Sequence, residues 1–276
     1  MPRRASPVSV GALRRGRSAF APTTDAVAVE EPLELRLGDA VLTTTMRTPG
    51  ADVELAHGWL LAEGIVSGAE EVASAVFDLG VGGDDSHNVL RVELAPGVAP
   101  PDAARVRIAT TTSSWGVCGS SAIDAIAVGS AWPADDDGAV LGVDVLTALP
   151  DRLRQRQPLF GETGGTHGAA LADTEGTILA VREDVGRHNA VDKVLGWASM
   201  AGMVPLRGRV LVLSGRAGFE LVQKAAMAGV PFVVAVGAPT ALAVDVAERS
   251  GITLVGFVRD GGANVYTRPD RIALGG

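Results

Sequence analysis

Residues 210–262 read VLVLSGRAGFELVQKAAMAGVPFVVAVGAPTALAVDVAERSGITLVGFVRDGG and alternate between two kinds of segment. Short runs rich in β-branched residues, typical of buried strands, fall at Val210–Leu213, Pro231–Val236 and Ile252–Val258. Between them, apolar residues recur at helical spacing, and a glycine follows each run, over Phe219–Ala228 and Thr240–Arg249. This alternation predicts an α/β fold, in which helices cover a mostly parallel or mixed sheet.

Glycine-rich loops that carry an arginine follow two of these strands. Ser214-Gly215-Arg216 follows the first strand, and Arg259-Asp260-Gly261-Gly262 follows the last. In such loops backbone N–H groups can cradle a phosphate, and a guanidinium can bind it through two hydrogen bonds. Each loop alone also fits an ordinary surface turn. Together they favour a phosphate site at the carboxyl edge of the sheet.

A dense polar segment precedes this unit. Thr163–His167 reads TGGTH and leads into two predicted strands, Gly168–Ala172 and Thr177–Val181. Residues 182–193 then read REDVGRHNAVDK, in which eight of twelve residues are polar or charged. A solvated helix face would explain scattered charges. Charges of both signs with His and Gly at a strand-to-helix junction instead favour a ligand site.

The first half of the chain predicts a smaller α+β part. Paired strands at Leu33–Leu37 and Val41–Met46 flank a Gly38-Asp39 turn, and Asp52 is placed to cap a helix that ends at Gly64. Further elements are predicted as strands at Val72–Leu79 and Val89–Leu94, and as a helix from Asp144 to Gln157 that Pro150 would disturb. We divide the chain into a mobile basic tail (1–29), an N-terminal α+β part (30–109) and a main α/β domain (110–276).

The only cysteine, Cys118, lies in the stretch TTTSSWGVCGSSAI, residues 110–123. A short strand is predicted before this stretch and a helix after it, so the thiol lies in a loop near a helix N-terminus. Unpaired backbone N–H groups there stabilise an anion and lower a thiol pKa. A reactive or sulfur-carrying cysteine is therefore one interpretation. A small buried apolar residue is the other.

Composition excludes several functions. A net charge of −8 argues against general binding of nucleic acid or acidic membranes. No apolar run reaches membrane-spanning length, and one cysteine cannot form an internal disulfide, so nothing demands an oxidising compartment. With one cysteine and four histidines at unsuitable spacings, we expect no metal site.

Several stretches together resemble the FdhD family, the sulfur carriers required to make active formate dehydrogenase. The resemblance covers nearly everything after residue 30. The matching stretches are 31–65 with EPLELRL and GWLLAEGI, TTSSWGVCG (111–119), TGGTHGAAL (163–171), REDVGRHNAVDKVLG (182–196), SGRAGFELVQKAAMAGVP (214–231) and TALAVDVAERSGITLVGFVRDGGANVYT (240–267).

The resemblance implies a cytidine-deaminase-like mixed sheet covered by helices, without the zinc site. It implies a cytoplasmic protein that takes persulfide sulfur from a cysteine desulfurase. It also implies delivery of that sulfur to the molybdenum bis(molybdopterin guanine dinucleotide) cofactor of formate dehydrogenase. Cys118 is the implied catalytic residue, and a homodimer is an option. The implied cofactor-binding residues, with GDP as a fragment ligand, are Phe257, Val258, Arg259, Asp260, Gly261 and Gly262.

One position departs from the family pattern. The family usually carries CxxC in the cysteine loop, and Trp115 stands here where the first cysteine would be. Either Cys118 alone carries the sulfur, which we favour, or the protein is a non-catalytic chaperone that only binds the molybdenum cofactor. A nucleoside-processing hydrolase is a further alternative on fold analogy alone.

Overall fold

The structure, a computed structural model, describes residues 3–12, 21–78, 87–100, 132–134 and 137–275. The helices in these ranges are α1 (Asp52–Ala62), α2 (Val143–Arg154), α3 (Pro158–Thr163), α4 (Arg187–Met200), α5 (Phe219–Met227) and α6 (Ala241–Arg249). The strands are β1 (Ala5–Ala12), β2 (Ala21–Ala28), β3 (Glu31–Leu37), β4 (Ala40–Arg47), β5 (Val72–Phe77), β6 (Val89–Leu94), β7 (Leu141–Gly142), β8 (His167–Asp173), β9 (Ile178–Asp184), β10 (Arg209–Leu213), β11 (Phe232–Ala235), β12 (Thr253–Arg259), β13 (Gly262–Val265) and β14 (Ile272–Ala273). No helix of the described ranges is long and apolar enough to cross a membrane.

The largest sheet has six strands in the order β13-β12-β11-β10-β8-β9. Strands β10, β11 and β12 run parallel, as the strand–helix alternation of residues 210–258 predicts. Strand β8 pairs antiparallel with both β9 and β10, and β13 pairs antiparallel with β12. The predicted α/β fold with a mixed sheet is confirmed.

Both faces of this sheet are buried, which explains why its strands are almost wholly apolar. Along β10, Val210 and Val212 contribute to one hydrophobic cluster, and Leu211 and Leu213 to the other. The first cluster includes the apolar side of α2, and the second includes side chains of α1, α4, α5 and α6. The sheet is thus covered by helices on both sides.

A four-stranded sheet in the order β4-β3-β6-β5 forms the N-terminal part, which shares its core with the large sheet. Helix α1 crosses α4 at very short range, at Gly58 and Gly196. A Cβ atom at Gly58 would lie 1.8 Å from the carbonyl oxygen of Asp192, and one at Gly196 would lie 1.8 Å from that of Glu54. Only residues without a Cβ permit this approach of the two backbones.

The prediction of a mobile tail over residues 1–29 is wrong for the residues that the structure describes there. Strands β1 and β2 form an antiparallel hairpin, paired from Ala5 with Ala28 to Ala12 with Ala21. Strand β2 contacts α3, and the Arg4 guanidinium donates to the Glu183 carbonyl at 3.3 Å. Composition indicated a tail because arginines are frequent and no acidic residue precedes Asp25. The pairing of two strands depends instead on partners distant in sequence.

Two local predictions about helices are also corrected. Asp52 does not cap α1, since the N-cap residue is Ala51 and no side chain caps it. Asp52 is the first residue of the helix, and its carboxylate accepts hydrogen bonds from the Gly50 N–H and the Arg47 Nε. Pro150 lies inside α2 without ending it. Burial of the apolar side of α2 against the sheet outweighs the missing N–H donor.

Candidate functional site

Strand directions bring three of the predicted loops to one edge of the large sheet. Parallel strands β10 and β12 both end there, and antiparallel β8 begins there. A cavity of about 700 Å³ opens at this edge. Its lining includes Gly164–His167 of the TGGTH segment, Ser214 with Gly215, and Val258–Gly261. The predicted site at the carboxyl edge of the sheet therefore coincides with a cavity.

Helix α2 supplies one wall of the cavity. Thr147, Pro150, Asp151 and Arg154 line it, at the spacing of a single helical face. On the other side of α2, Leu146 and Leu149 are buried in the core against the sheet, and Leu153 both packs in that core and borders the cavity. The amphipathic pattern of α2 thus seats the helix on the sheet and presents its polar side to the cavity.

The segment Arg259–Gly262 forms the turn of the β12–β13 hairpin. Arg259 pairs with Gly262, and the two residues between them, Asp260 and Gly261, have φ of 52° and 73°. Positive φ at both central positions is the geometry of a type I′ turn, which Asp-Gly favours. The turn is exposed, and Arg259, Asp260 and Gly261 line the cavity.

Four of the six predicted cofactor residues line the cavity, namely Val258, Arg259, Asp260 and Gly261. Phe257 and Gly262 are not part of the lining, and for them the prediction of direct contact has no geometric support. The Phe257 ring lies 5.9 Å from the Arg259 guanidinium carbon, a cation–π distance. Phe257 thus acts on the position of the arginine.

Ser214 and Gly215 are held against β8. Ser214 Oγ accepts from the Gly168 N–H at 2.8 Å, and the Ser214 N–H donates to the Gly168 carbonyl at 3.0 Å. A Cβ at Gly215 would lie 3.5 Å from His167 Nδ1, so the loop backbone lies close to that ring. Arg216, predicted as a phosphate ligand with this loop, is exposed and outside the cavity lining.

His167 lines the cavity at this edge of the sheet. The pKa of His167 is lowered, first by burial and then by the positive charges of Arg187 and His188. His188 Nε2 lies 3.1 Å from Glu220 Oε2, and this hydrogen bond lowers the pKa of the Glu220 carboxyl. His167 therefore offers a neutral imidazole to the cavity at neutral pH.

The polar segment 182–193 turns out to be mostly a structural connection. Arg182 forms an ion pair with Glu54 of α1 through two hydrogen bonds. Asp184 and Lys193 form a buried ion pair in which Nζ and Oδ2 are 2.6 Å apart. The Arg182–Glu54 pair attaches β9 to the N-terminal part, and the backbone of Thr48 bonds both members of the Asp184–Lys193 pair. Arg182, Asp184 and Lys193, whose charges predicted a ligand site, thus form ion pairs within the fold.

The cavity lining includes residues that the sequence analysis did not single out, among them Asp151, Arg154, Gln157 and Phe160. The Arg154 guanidinium carbon lies 4.2 Å from the ring centroid of Phe160, and both residues line the cavity. Gln157, which is 4% exposed, also lines it, and its Nε2 has no hydrogen-bond partner among the described residues. For Asp151, Arg154 and Gln157 the only signal in the sequence was the predicted helix 144–157, and Phe160 lies beyond the end of that helix.

Cys118 and its neighbour Trp115 lie outside the described residues. Within the described ranges, no group of three or more His, Cys, Asp or Glu side chains could hold a metal ion. The cavity at the carboxyl edge of the sheet is where the predicted loops meet. The Arg259 guanidinium and the backbone N–H groups of its turn can bind an anion, and the helical wall offers an arginine–aromatic pair.

Comparisons with known proteins agree on one family. A profile of the FdhD/NarQ family matches residues 28–273. "Sulfur carrier protein FdhD" of Mycobacterium tuberculosis is 51% identical over 253 residues, which cover 90% of this chain and 92% of that protein. The protein of that name from Streptomyces avermitilis is 50% identical and covers 91% and 90%.

A solved structure has the same fold over nearly the whole chain. The crystal structure of a protein from Desulfotalea psychrophila, described as a formate dehydrogenase accessory protein, superimposes with a TM-score of 0.77. It is 25% identical in sequence, and the match covers 98% of this chain and 100% of that chain.

Proposed function

Because the chain belongs to the FdhD/NarQ family, we propose that it is a sulfur carrier required for the activity of formate dehydrogenase. The Cys118 thiolate attacks the terminal sulfur of a persulfide on a cysteine desulfurase. The S–S bond of the donor breaks, the donor leaves as a thiolate, and Cys118 retains the sulfur as its own persulfide. The acceptor of this sulfur is the molybdenum bis(molybdopterin guanine dinucleotide) cofactor, the cargo of the protein.

The observation that carries the cofactor part of the proposal is the convergence of the predicted loops on one cavity. Its volume of about 700 Å³ lies within the usual range for a small-molecule site, roughly 300–1,000 Å³. Arg259 is exposed, and its guanidinium has no hydrogen-bond acceptor among the described residues. The Arg259 cation and the Gly261 backbone, both in the cavity lining, fit the diphosphate of a guanine nucleotide.

The remaining parts of the proposal rest on the family resemblance. They are the cytidine-deaminase-like character of the mixed sheet, a cytoplasmic location, a homodimer, and the cysteine desulfurase as partner. One observation favours a second function. Trp115 stands where the family has the first cysteine, so a chaperone that binds the cofactor without carrying sulfur is the alternative.

Mass spectrometry tests sulfur carriage directly. After incubation with a cysteine desulfurase and cysteine, we expect a gain of about 32 Da, one sulfur atom, on Cys118. Cys118→Ala should abolish maturation of formate dehydrogenase and leave the unfolding temperature unchanged. Full maturation by Cys118→Ala would rule out sulfur carriage through this residue.

A second variant separates carrier from chaperone. If Cys118 suffices, Trp115→Cys should leave maturation similar to that of the wild type. If the wild type is inactive in a strain that lacks its own carrier and Trp115→Cys restores activity, the natural protein has lost sulfur transfer. Binding of GDP, measured by calorimetry, tests the cofactor site without any sulfur chemistry.

A further inference from the structure

A second cavity, of about 600 Å³, opens where the N-terminal hairpin, the start of α1 and the connection between α2 and α3 meet. It has no lining residue in common with the cavity at the carboxyl edge of the large sheet. Its charged lining residues are the cations Arg4, Arg156, Arg182 and Lys193 and the carboxylates Glu54 and Glu183. Cations therefore outnumber carboxylates on its walls.

Two of the four cations are neutralised by ion pairs within the fold. Arg182 is paired with Glu54 through two hydrogen bonds. Lys193 is paired with Asp184, which lies outside the cavity lining. These two pairs leave Arg4 and Arg156 facing a single carboxylate.

That carboxylate, on Glu183, already has other partners. Its oxygens accept hydrogen bonds from the backbone N–H groups of Leu159 and Phe160, at 3.0 and 2.7 Å, in the first turn of α3. The hydroxyl of Thr166 donates a third bond at 3.3 Å. Glu183 is buried, so its charge serves the start of α3.

The guanidinium groups of Arg4 and Arg156 bond only to backbone carbonyls among the described residues. Arg4 donates to the Glu183 carbonyl at 3.3 Å, and Arg156 donates to the Ile178 carbonyl at 2.8 Å. Both arginines are exposed, and neither forms an ion pair within the described ranges. Each guanidinium has five N–H donors, so most of them are left for a ligand.

The cations of this cavity also repel one another. Burial is the largest cause that lowers the pKa of the Lys193 ammonium, Asp184 raises that pKa, and the positive charge of Arg4 lowers it again. Arg4 therefore lies close enough to Lys193 for their charges to interact. Bringing like charges together costs free energy, which a bound anion would offset.

We propose that this cavity binds the phosphate group of a small molecule, with Arg4 and Arg156 as its ligands. A guanidinium matches phosphate through two parallel hydrogen bonds, and two guanidiniums suit a dianion better than the single charge of a carboxylate. Helix α1, which has no side-chain cap, begins beside the cavity, and the positive end of its dipole favours the same charge. The apolar surface of Pro158 and Val181 leaves room for the organic part of a phosphomonoester.

Such a ligand would tie the N-terminal hairpin to the rest of the fold. Arg4 directly precedes β1, and its carbonyl accepts from the Val29 N–H at 2.9 Å, which closes the hairpin. Arg156 lies between α2 and α3. A phosphate held by both arginines should therefore slow hydrogen exchange at the backbone amides of β1 and β2.

Calorimetry with inorganic phosphate and phenyl phosphate tests the inference on the full chain. We expect both to bind the wild type, and acetate, a single negative charge, to bind at least tenfold more weakly. Arg4→Ala and Arg156→Ala should each weaken phosphate binding at least tenfold, the scale of a lost hydrogen bond to a charged group. Tighter binding of phenyl phosphate than of inorganic phosphate assigns the site to an organic phosphate, and equal binding assigns it to the free ion.

The matched control is Arg207→Ala, which removes an exposed arginine outside both cavity linings. It should bind phosphate as the wild type does, and all variants should keep the far-UV circular dichroism spectrum of the wild type. A wild type that binds no phosphate overturns the inference, as do unchanged affinities in both Arg4→Ala and Arg156→Ala. Loss of phosphate binding in Arg259→Ala but not in Arg156→Ala places the ion in the other cavity and also overturns it.

The inference is independent of the proposed cofactor site. Arg156→Ala should bind GDP as the wild type does, because Arg156 is outside the lining of the cavity proposed for the nucleotide. If the wild type binds phosphate through Arg156 and no GDP, the cofactor site is wrong and this inference stands.

Discussion

The substitution Gly196→Ala provides a quantitative test of the close contact between α1 and α4. A Cβ atom at residue 196 would lie 1.8 Å from the Glu54 carbonyl oxygen and 2.6 Å from the Gly58 nitrogen. Real Cβ atoms essentially never approach closer than 3.0 Å, so the backbones must separate by about 3.0 − 1.8 = 1.2 Å. Neither neighbour is a side-chain end that can rotate away, because both are helix backbone.

The separation has an energetic consequence that can be estimated. A gap of about 0.5–1 Å already forfeits a quarter to a half of each dispersion contact across an interface. Overpacking commonly costs about 1–3 kcal/mol, and a backbone-to-backbone clash belongs at the upper end. Alanine would otherwise stabilise a helix by about 1 kcal/mol relative to glycine. The clash at the upper end, about 3 kcal/mol, less the propensity gain of about 1 kcal/mol, predicts that Gly196→Ala lowers the free energy of unfolding by about 2 kcal/mol.

Thermal and urea unfolding, followed by far-UV circular dichroism, measure this loss. For a chain of this size, about 2 kcal/mol corresponds to a fall in unfolding temperature of roughly 4–8 °C. Gly161→Ala is the matched control, since Gly161 lies in α3 and nothing is within 4 Å of an added Cβ. That variant should be as stable as the wild type or more stable. An unfolding temperature of Gly196→Ala equal to or above that of the wild type would refute the reasoning.

Three further predictions concern the ion pairs and the nucleotide site. Lys193→Met should destabilise the fold by about 3–5 kcal/mol in urea unfolding, because it leaves the buried Asp184 carboxylate without its cation; an unchanged midpoint would contradict this. Arg259→Ala should weaken GDP binding in calorimetry by about 1.5–3 kcal/mol, the contribution of a hydrogen bond to a charged group, and equal affinities would remove Arg259 from the site. The Glu220 carboxyl has a pKa lowered by its hydrogen bond to His188, so its ionised form stabilises the fold above the ordinary value of 4.5, and this contribution is lost as the pH falls through the lowered pKa. The difference in unfolding temperature between wild type and Glu220→Gln should therefore shrink as the pH is lowered below about 4.5, and a difference that grows on acidification would contradict the assignment.

Local pattern determined most of the elements in this chain. The alternating strands and helices of residues 210–258 lie within one or two residues of their predicted bounds, and β6 covers the predicted Val89–Leu94. The glycines that follow α5 and α6 also mark their ends as predicted. Such features depend on side-chain periodicity and on φ preferences within a few residues, which a sequence displays directly.

Tertiary structure decided which of these elements meet, and therefore what the polar residues do. The charges of Asp184 and Lys193 favoured a ligand site in the sequence. In the structure both side chains are buried and form an ion pair, with Nζ and Oδ2 2.6 Å apart. In the sequence, Arg154 and Gln157 are ordinary residues near the end of a predicted helix. Packing of α2 on the sheet places both of them in the cavity lining. The β1–β2 hairpin likewise became visible only through pairing between distant segments and contact with α3. Periodicity in a sequence specifies the type of an element, whereas the partner of a charge or of a strand edge is chosen by packing across the whole fold.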